Sequence, residues 1–241
     1  MKILKHTLSI SLILLFVSFA YGQIREYKIH DRGMLHNTVF NTGEIGRAWQ
    51  TGEAGNFTSV PVFEWPPYSK TIIEGIEYDG QHNILGAGFY IGANLASAPG
   101  EIDRLFALCG GVGAGSPEVS IGRWSFPLYM EEIENFPLLE DGTLNLDYNP
   151  NEAEEIIRTS WATSTGITVT RTSRAWSYPD YDDMIIYEYE LEYTGDLDGN
   201  PATIEQTEDL KDVMVALNYG FAPSMYGYQR TYLEWKYTGG I

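Results

Sequence analysis

Hydrophobic and polar residues alternate in several stretches of the chain, most clearly in MIIYEYELEY at 184–193. The odd positions from 185 onward carry apolar or aromatic side chains, whereas three of the even positions are glutamates. A period of two places these two sets on opposite faces of a β-strand. We therefore predict an antiparallel strand whose odd face lies in the core and whose Glu188, Glu190 and Glu192 face lies in water.

Similar strand patterns recur along the chain and are separated by turn residues. They predict further strands at 72–78, 84–95, 166–178, 213–219 and 233–237. Many short strands in a chain of this length favour a mainly β protein, built as an antiparallel β-sandwich of one or two domains.

One segment has the pattern of a helix instead. Asn149 can act as the N-cap, Pro150 suits the first helical position, and Glu152 has the spacing of a capping box. Apolar residues at 153, 156, 157 and 161 then fall on one helical face. We predict one short amphipathic helix at about 150–160, packed on the sheet.

The N-terminus has the three parts of a secretory signal peptide. Its first residues are basic, residues 8–20 are apolar or small, and Ala20 and Gly22 mark a cleavage site. The apolar run is shorter than the ~20 residues that a membrane-spanning helix needs. We predict that residues 1–22 are removed and that a β-rich domain at 23–241 is secreted or held at the cell surface, with no transmembrane segment.

The charge of the chain limits the classes of partner that it can bind. The formal net charge is −18 at pH 7, and the signal peptide carries two lysines and no acid, so the mature chain is more acidic still. An acidic surface repels phosphate backbones, and nucleic acid is therefore not an expected partner. Polysaccharide or other cell-surface components remain as candidate partners. Acidity also favours solubility and supplies oxygen ligands for hard cations.

Catalytic and cofactor motifs are weak. Cys109 is the only cysteine, so an intrachain disulfide and a Cys-based zinc site are excluded. His30, His36 and His82 have no zinc-binding spacing, and no G-x-S-x-G elbow accompanies them. The glycine-rich stretch at 110–115 lacks both the dinucleotide-binding spacing and a Walker lysine. A glycosidase-like pair of catalytic carboxylates remains an open alternative, because only the distance between two carboxyl groups in the folded protein would identify one.

The loop after the alternating strand carries a candidate metal site. Asp196, Asp198 and Asn200 stand at alternate positions, as oxygen ligands of hard cations often do. An EF-hand would need Gly at the sixth place and Glu at the twelfth, and neither is present. The spacing allows a looser calcium site, and calcium is the only cofactor suggested. An exposed turn rich in Asp, Gly and Asn is the alternative interpretation.

Two tryptophans are candidate ligand-binding residues. Trp49 and Trp65 lie among Gly, Pro and polar residues, in a region that we expect to form loops. Exposed aromatic rings there would offer a platform for sugars, whereas most other aromatic side chains are expected in the core.

Three stretches resemble a known kind of protein. They are HDRGMLHNTVFNTGEIGRAW at 30–49, VPVFEWPPYSK at 60–70, and the run from IIRTSW to EYTGD at 156–196. They are similar to the N-terminal region of large uncharacterised exported proteins of Gram-negative bacteria, which often carry a C-terminal type IX secretion sorting domain. The resemblance implies export and supplies no catalytic residue. The missing sorting domain and the end of the chain near a predicted strand suggest a fragment; a complete protein ending on an edge strand is the alternative.

The expected function is that of a non-enzymatic module of a secreted or surface-attached bacterial protein, with a structural, adhesion or extracellular binding role. One alternative is a carbohydrate-binding module or glycosidase fragment, which exposed tryptophans or a carboxylate pair in a groove would favour. The other is a calcium-stabilised scaffold, which oxygens converging around Asp196 would favour.

Overall fold

The computed structural model describes residues 26–47, 61, 63–65, 67, 71–73, 76–78, 83–97, 105–110 and 125–221. The predicted signal peptide, Trp49, His82, the glycine-rich stretch after 110 and the predicted strand at 233–237 lie outside the described residues.

The described residues form twelve β-strands and no helix. The strands are β1 (Tyr27–His30), β2 (Asn37–Phe40), β3 (Ile45–Arg47), β4 (Thr71–Ile73), β5 (Ile76–Tyr78), β6 (Ile84–Leu95), β7 (Leu105–Gly110), β8 (Ser125–Glu134), β9 (Glu155–Thr163), β10 (Ile167–Ala175), β11 (Ile185–Tyr193) and β12 (Leu210–Phe221). The chain is therefore mainly β, as the alternating patterns predicted.

The strands pair into two larger antiparallel sheets and a small hairpin. The first sheet has the order β1-β2-β3-β6-β12, and the second has the order β11-β10-β9-β8. β12 pairs with β6 from Ile84 to Leu95, while β3 and β7 pair with successive parts of the other edge of β6. β4 and β5 form the hairpin. The prediction of an antiparallel β-sandwich is confirmed.

The apolar core joins strands of both sheets. Ile91 of the first sheet packs with Trp161, Ile167 and Val169 of the second. β10 shows how its sequence produces this, because its burial alternates strictly and every second side chain, beginning with Ile167, is buried. Burial of the apolar members Ile167 and Val169 contributes about 1.5–3 kcal/mol each relative to exposure.

The alternation in β11 follows the prediction over its first half. Tyr187 and Tyr189 are half-buried, and the glutamates that follow them, Glu188 and Glu190, are exposed. Further along, Leu191 is 42% exposed, so its predicted place in the core is wrong. β11 is the edge strand of its sheet, and at Leu191 it borders an open hollow rather than the packed interior.

The predicted helix at 150–160 is wrong. Residues from Glu155 onward form β9, which pairs with β8 on one side and β10 on the other. β9 is an inner strand covered on both faces, so it lacks the period of two and its apolar spacing also fits one face of a helix. Its β-branched residues, among them Ile156 and Ile157, suit a strand. Asn149 forms a turn instead of a helix cap, its side chain accepting the Asn151 amide at 3.1 Å.

No helix capable of crossing a bilayer occurs in the part of the chain that the structure describes.

Candidate functional site

A serine, a histidine and a glutamate are hydrogen-bonded in a row between the two sheets. Nε2 of His30, on β1, lies 2.7 Å from Oγ of Ser173 on β10. Nδ1 of the same ring lies 2.8 Å from Oε2 of Glu155 on β9. These distances are those of a Ser-His-acid triad. Sequence reasoning missed the row because its members are 125 and 143 residues apart and no local motif marks them.

The position of this row argues against catalysis. His30 and Ser173 are 0% exposed and Glu155 is 2% exposed, so a substrate does not reach the hydroxyl. Oγ of Ser173 also donates to the carbonyl oxygen of Ile157 at 3.2 Å, whereas a catalytic serine passes its proton to the histidine. The row instead connects β1 of the first sheet to β9 and β10 of the second.

Arg171 makes a second polar connection across the sandwich. Its guanidinium, buried at the centre of β10, donates to the carbonyl oxygens of Phe40 at 2.7 Å and Gly43 at 3.1 Å. The same group lies over the ring of Trp161, 5.4 Å from its centroid. Donation to carbonyls at the turn between β2 and β3 fixes that turn on the second sheet.

Tyr187 extends this polar layer. Nδ2 of Asn37 donates to its hydroxyl oxygen at 2.7 Å. Burial raises the pKa of Tyr187 well above its ordinary value, and the hydrogen bond from Asn37 opposes that rise only in part. The phenol is therefore neutral at physiological pH and serves as a structural acceptor.

The acidic loop brings three carboxylates together. Oxygens of Asp196, Asp198 and Glu205 lie within 4.8 Å of one another. The loop thus joins two of the three predicted ligands. The side-chain oxygen of the third, Asn200, accepts the Ala202 amide at 3.2 Å. The sequence did not indicate Glu205, because only the folding of the loop brings its carboxylate close to the two aspartates.

Hydrogen bonds set the shape of this loop. Oδ1 of Asp196, which is 4% exposed, accepts the amides of Asp198 at 3.0 Å and Gly199 at 2.7 Å. Hydrogen bonds from Thr203 and from the Leu197 amide lower the pKa of Glu205. The arrangement offers oxygen ligands to a hard cation, and it is also that of a well-formed polar turn.

Trp65 borders an open hollow of about 400 Å³ and is 41% exposed. The other lining residues are Leu35, Phe63, Asn83, Asp183, Met184 and Ile185. The structure therefore places this predicted ligand-binding residue at an accessible concave surface. Its predicted companion, Trp49, lies outside the described residues.

A second open hollow, of about 650 Å³, lies between the ends of β11 and β12. Leu191 and Tyr193 line it from β11, and Val213 and Val215 line it from β12. Apolar side chains continue to be exposed along β12 as far as Phe221. An exposed apolar strand at a sheet edge is a typical interaction surface.

No family model matches the chain, and no match to it was found among curated proteins or solved structures. The fold and the geometry of these regions define the protein as an antiparallel β-sandwich with a buried polar layer, an acidic loop and two open hollows. Its function has to be inferred from that chemistry.

Proposed function

We propose that this domain is a non-enzymatic module of a secreted or surface-attached bacterial protein, with a structural, adhesion or extracellular binding role. The observation that carries the proposal is the burial of the row Ser173, His30 and Glu155. Side chains at triad distances are enclosed between the sheets, where they connect strands and do not meet a substrate.

The exposed regions favour a binding role over a catalytic one. They combine aromatic and apolar side chains at Trp65 and along β12 with acidic turns, and such surfaces suit recognition of a partner. Export follows from the signal-peptide pattern at the N-terminus, and the resemblance to exported proteins of Gram-negative bacteria agrees with it.

The experiment that tests the proposal measures turnover and retention together. The full chain is incubated with chromogenic esters, anilides and glycosides, beside the variant Ser173→Ala, and is separately tested for sedimentation with a bacterial envelope fraction. We expect no turnover above the buffer rate and retention on the envelope. Hydrolysis that Ser173→Ala abolishes in a folded protein would overturn the proposal.

A calcium-stabilised scaffold is the second candidate, and the cluster of Asp196, Asp198 and Glu205 favours it. A cation that binds only the native state raises the melting temperature by mass action. Millimolar calcium should then stabilise the protein more than magnesium does, and Asp198→Asn should remove the difference. The control is Asp141→Asn, which changes an acid in another exposed turn. Equal calcium shifts in both variants would exclude the site.

A further inference from the structure

We propose that the hollow beside Trp65 binds a neutral polysaccharide. The indole of Trp65 would stack on a sugar ring, and the carboxylate of Asp183, which also lines the hollow, would accept hydrogen bonds from sugar hydroxyls. This inference rests on the proposed extracellular binding role, and it names the ligand class and the site.

The shape of the hollow suits a sugar ring. Its volume of about 400 Å³ lies within the ~300–1,000 Å³ that small-ligand sites occupy. Phe63 and Trp65 line it from one segment, Asp183 to Ile185 line it from another, and the buried Leu35 also borders it. Sugars present apolar ring faces edged by hydroxyls, so an aromatic surface with a nearby carboxylate complements both parts.

The segment that carries Trp65 is held in place before any ligand arrives. The neighbouring residue Glu64 pairs with His36 in an isolated β-bridge. Nδ2 of Asn83 donates to the carbonyl oxygens of Phe63 and Trp65, both at 3.1 Å. Affinity gains from such preorganisation, because less conformational entropy is lost on binding.

Phe63 adds a second sign of function. Its φ is +53°, a left-handed conformation that bulky residues adopt only when their surroundings enforce it. The side chain of Asn37 holds the backbone there, since its Oδ1 accepts the Phe63 amide at 2.9 Å. Strained residues of this kind concentrate at ligand sites.

The loop that leads into Asp183 adds two exposed aromatic rings. Tyr178 and Tyr181 are 52% and 48% exposed, and the ring centroid of Trp176 lies 6.0 Å from that of Tyr181. The amides of Met34 and Leu35 anchor this loop by donating to the carbonyl oxygen of Asp182. These two rings would offer further stacking faces to a polymer that leaves the hollow along the loop.

The charge of the region selects a neutral polymer. Asp180, Asp182 and Asp183 stand on the same loop, and the whole chain carries a formal charge of −18. An acidic polysaccharide would be repelled by these carboxylates, whereas a neutral one carries no charge to be repelled.

The test is native affinity electrophoresis of the full chain in gels that contain one soluble polymer each. The neutral probes are hydroxyethyl cellulose, galactomannan and soluble starch, and polygalacturonate is the acidic probe. We expect at least one neutral polymer to retard the protein and polygalacturonate not to. Trp65→Ala should weaken the retarding interaction about tenfold or more, since loss of a stacked ring removes more than about 1.4 kcal/mol.

Matched variants keep the result interpretable. Tyr129→Ala removes an aromatic side chain of the same 41% exposure from β8, and it should bind as the parent does. Asp183→Asn preserves the shape of this side chain, removes its charge and should also weaken binding. Melting curves would reveal whether Trp65→Ala folds. If it does not, Asp183→Asn still tests the site.

Three results would overturn the site: no retardation by any neutral probe, parental binding by folded Trp65→Ala or by Asp183→Asn, or an equal loss in Tyr129→Ala. Retention on the envelope without glycan binding would remove this site and leave the module proposal intact. Hydrolysis that depends on Ser173 would overturn the module proposal whatever the electrophoresis shows.

Discussion

At the scale of single residues, the interior is polar where the two sheets are tied together. Buried polar groups cost free energy unless they find partners. His30 meets that requirement through Glu155 and Ser173, and the two terminal nitrogens of Arg171 meet it through backbone carbonyls, although its buried Nε has no hydrogen-bond partner among the described residues. These side chains fix how β1 and the turn after β2 lie on the second sheet, a task that apolar packing alone does with less directional precision.

Removal of Glu155 should destabilise the fold strongly. Glu155→Ala leaves the buried Nδ1 of His30 without its partner, and an unsatisfied buried polar group costs about 1–3 kcal/mol, to which the cavity left by truncation adds. Glu152→Ala is the control, because it removes an exposed glutamate that contacts Arg174 at 3.3 Å and should cost less than ~1 kcal/mol. Chemical denaturation of both variants measures the difference. Similar midpoints would mean that the row contributes nothing to stability.

Tyr187 should make stability depend on alkaline pH. Its folded-state pKa is raised above the ordinary value of 10.0, mainly by burial. The unfolded chain therefore releases this proton first, so the contribution of Tyr187 is complete below about pH 10 and is lost as the pH rises towards the folded-state pKa. Tyr187→Phe should lower stability by ~1 kcal/mol at pH 8 and flatten the decline above pH 10.

Urea denaturation of the parent and of Tyr187→Phe at about pH 8, 10 and 11 checks this behaviour. The exposed Tyr178→Phe controls for loss of a hydroxyl elsewhere. Parallel pH profiles for the parent and Tyr187→Phe would contradict the burial of the phenol.

At the scale of elements, periodicity identified strands that have one covered face and failed for a strand covered on both. The alternation at 184–193 predicted β11 because one face meets water. β9 lies between two neighbours with both faces covered, so its apolar residues follow no period of two, and the turn residues before it imitated a helix start. Tertiary covering, which local sequence does not encode, decided between helix and strand.

The candidate sites also divide into those that local sequence predicts and those that depend on long-range contacts. Asp196 and Asp198 were predictable as neighbours because they share one turn, whereas Glu205 required knowledge of how the loop closes. The row at His30 depended on pairing across the sandwich, and no spacing in the sequence signals it. Trp65 was found through the loop composition around it, which remains a local property.

The acidic loop should also depend on a glycine. Gly195 has φ +75°, and a Cβ there would overlap the carbonyl oxygen of Gln206. Gly195→Ala therefore combines a strained backbone with a clash and should cost about 2–4 kcal/mol. Gly142→Ala is a close match, since Gly142 has φ +79° with nothing within 4 Å of the added Cβ, and it should cost only ~1 kcal/mol. Equal losses of stability for the two variants in thermal denaturation would show that the loop accommodates the added Cβ without strain.

At the scale of the whole molecule, the fold class was predictable because it depends on the sum of many local patterns, whereas the sites depend on single long-range contacts. Acidic side chains lie mainly outside, as on β11, where Glu188 and Glu190 are exposed. Surface ion pairs offset this charge at a few points, such as Lys28 with Glu132 at 3.0 Å. With 33 acidic and 15 basic residues in the chain, most acids have no basic residue to balance them.

This imbalance predicts that salt stabilises the protein. Screening shortens the Debye length from ~10 Å at 0.1 M to ~3 Å at 1 M, which weakens repulsion among the acids and also weakens surface ion pairs. Exposed pairs contribute only about 0–1 kcal/mol each, so relief of the repulsion between the many unbalanced acids should dominate. We expect the melting temperature of EDTA-treated protein to rise by several degrees between about 0.05 and 0.5 M sodium chloride, at roughly 2–4 °C per kcal/mol. Tetramethylammonium chloride should act equally if screening is the cause, whereas a fall in melting temperature, or a rise with sodium alone, would contradict it.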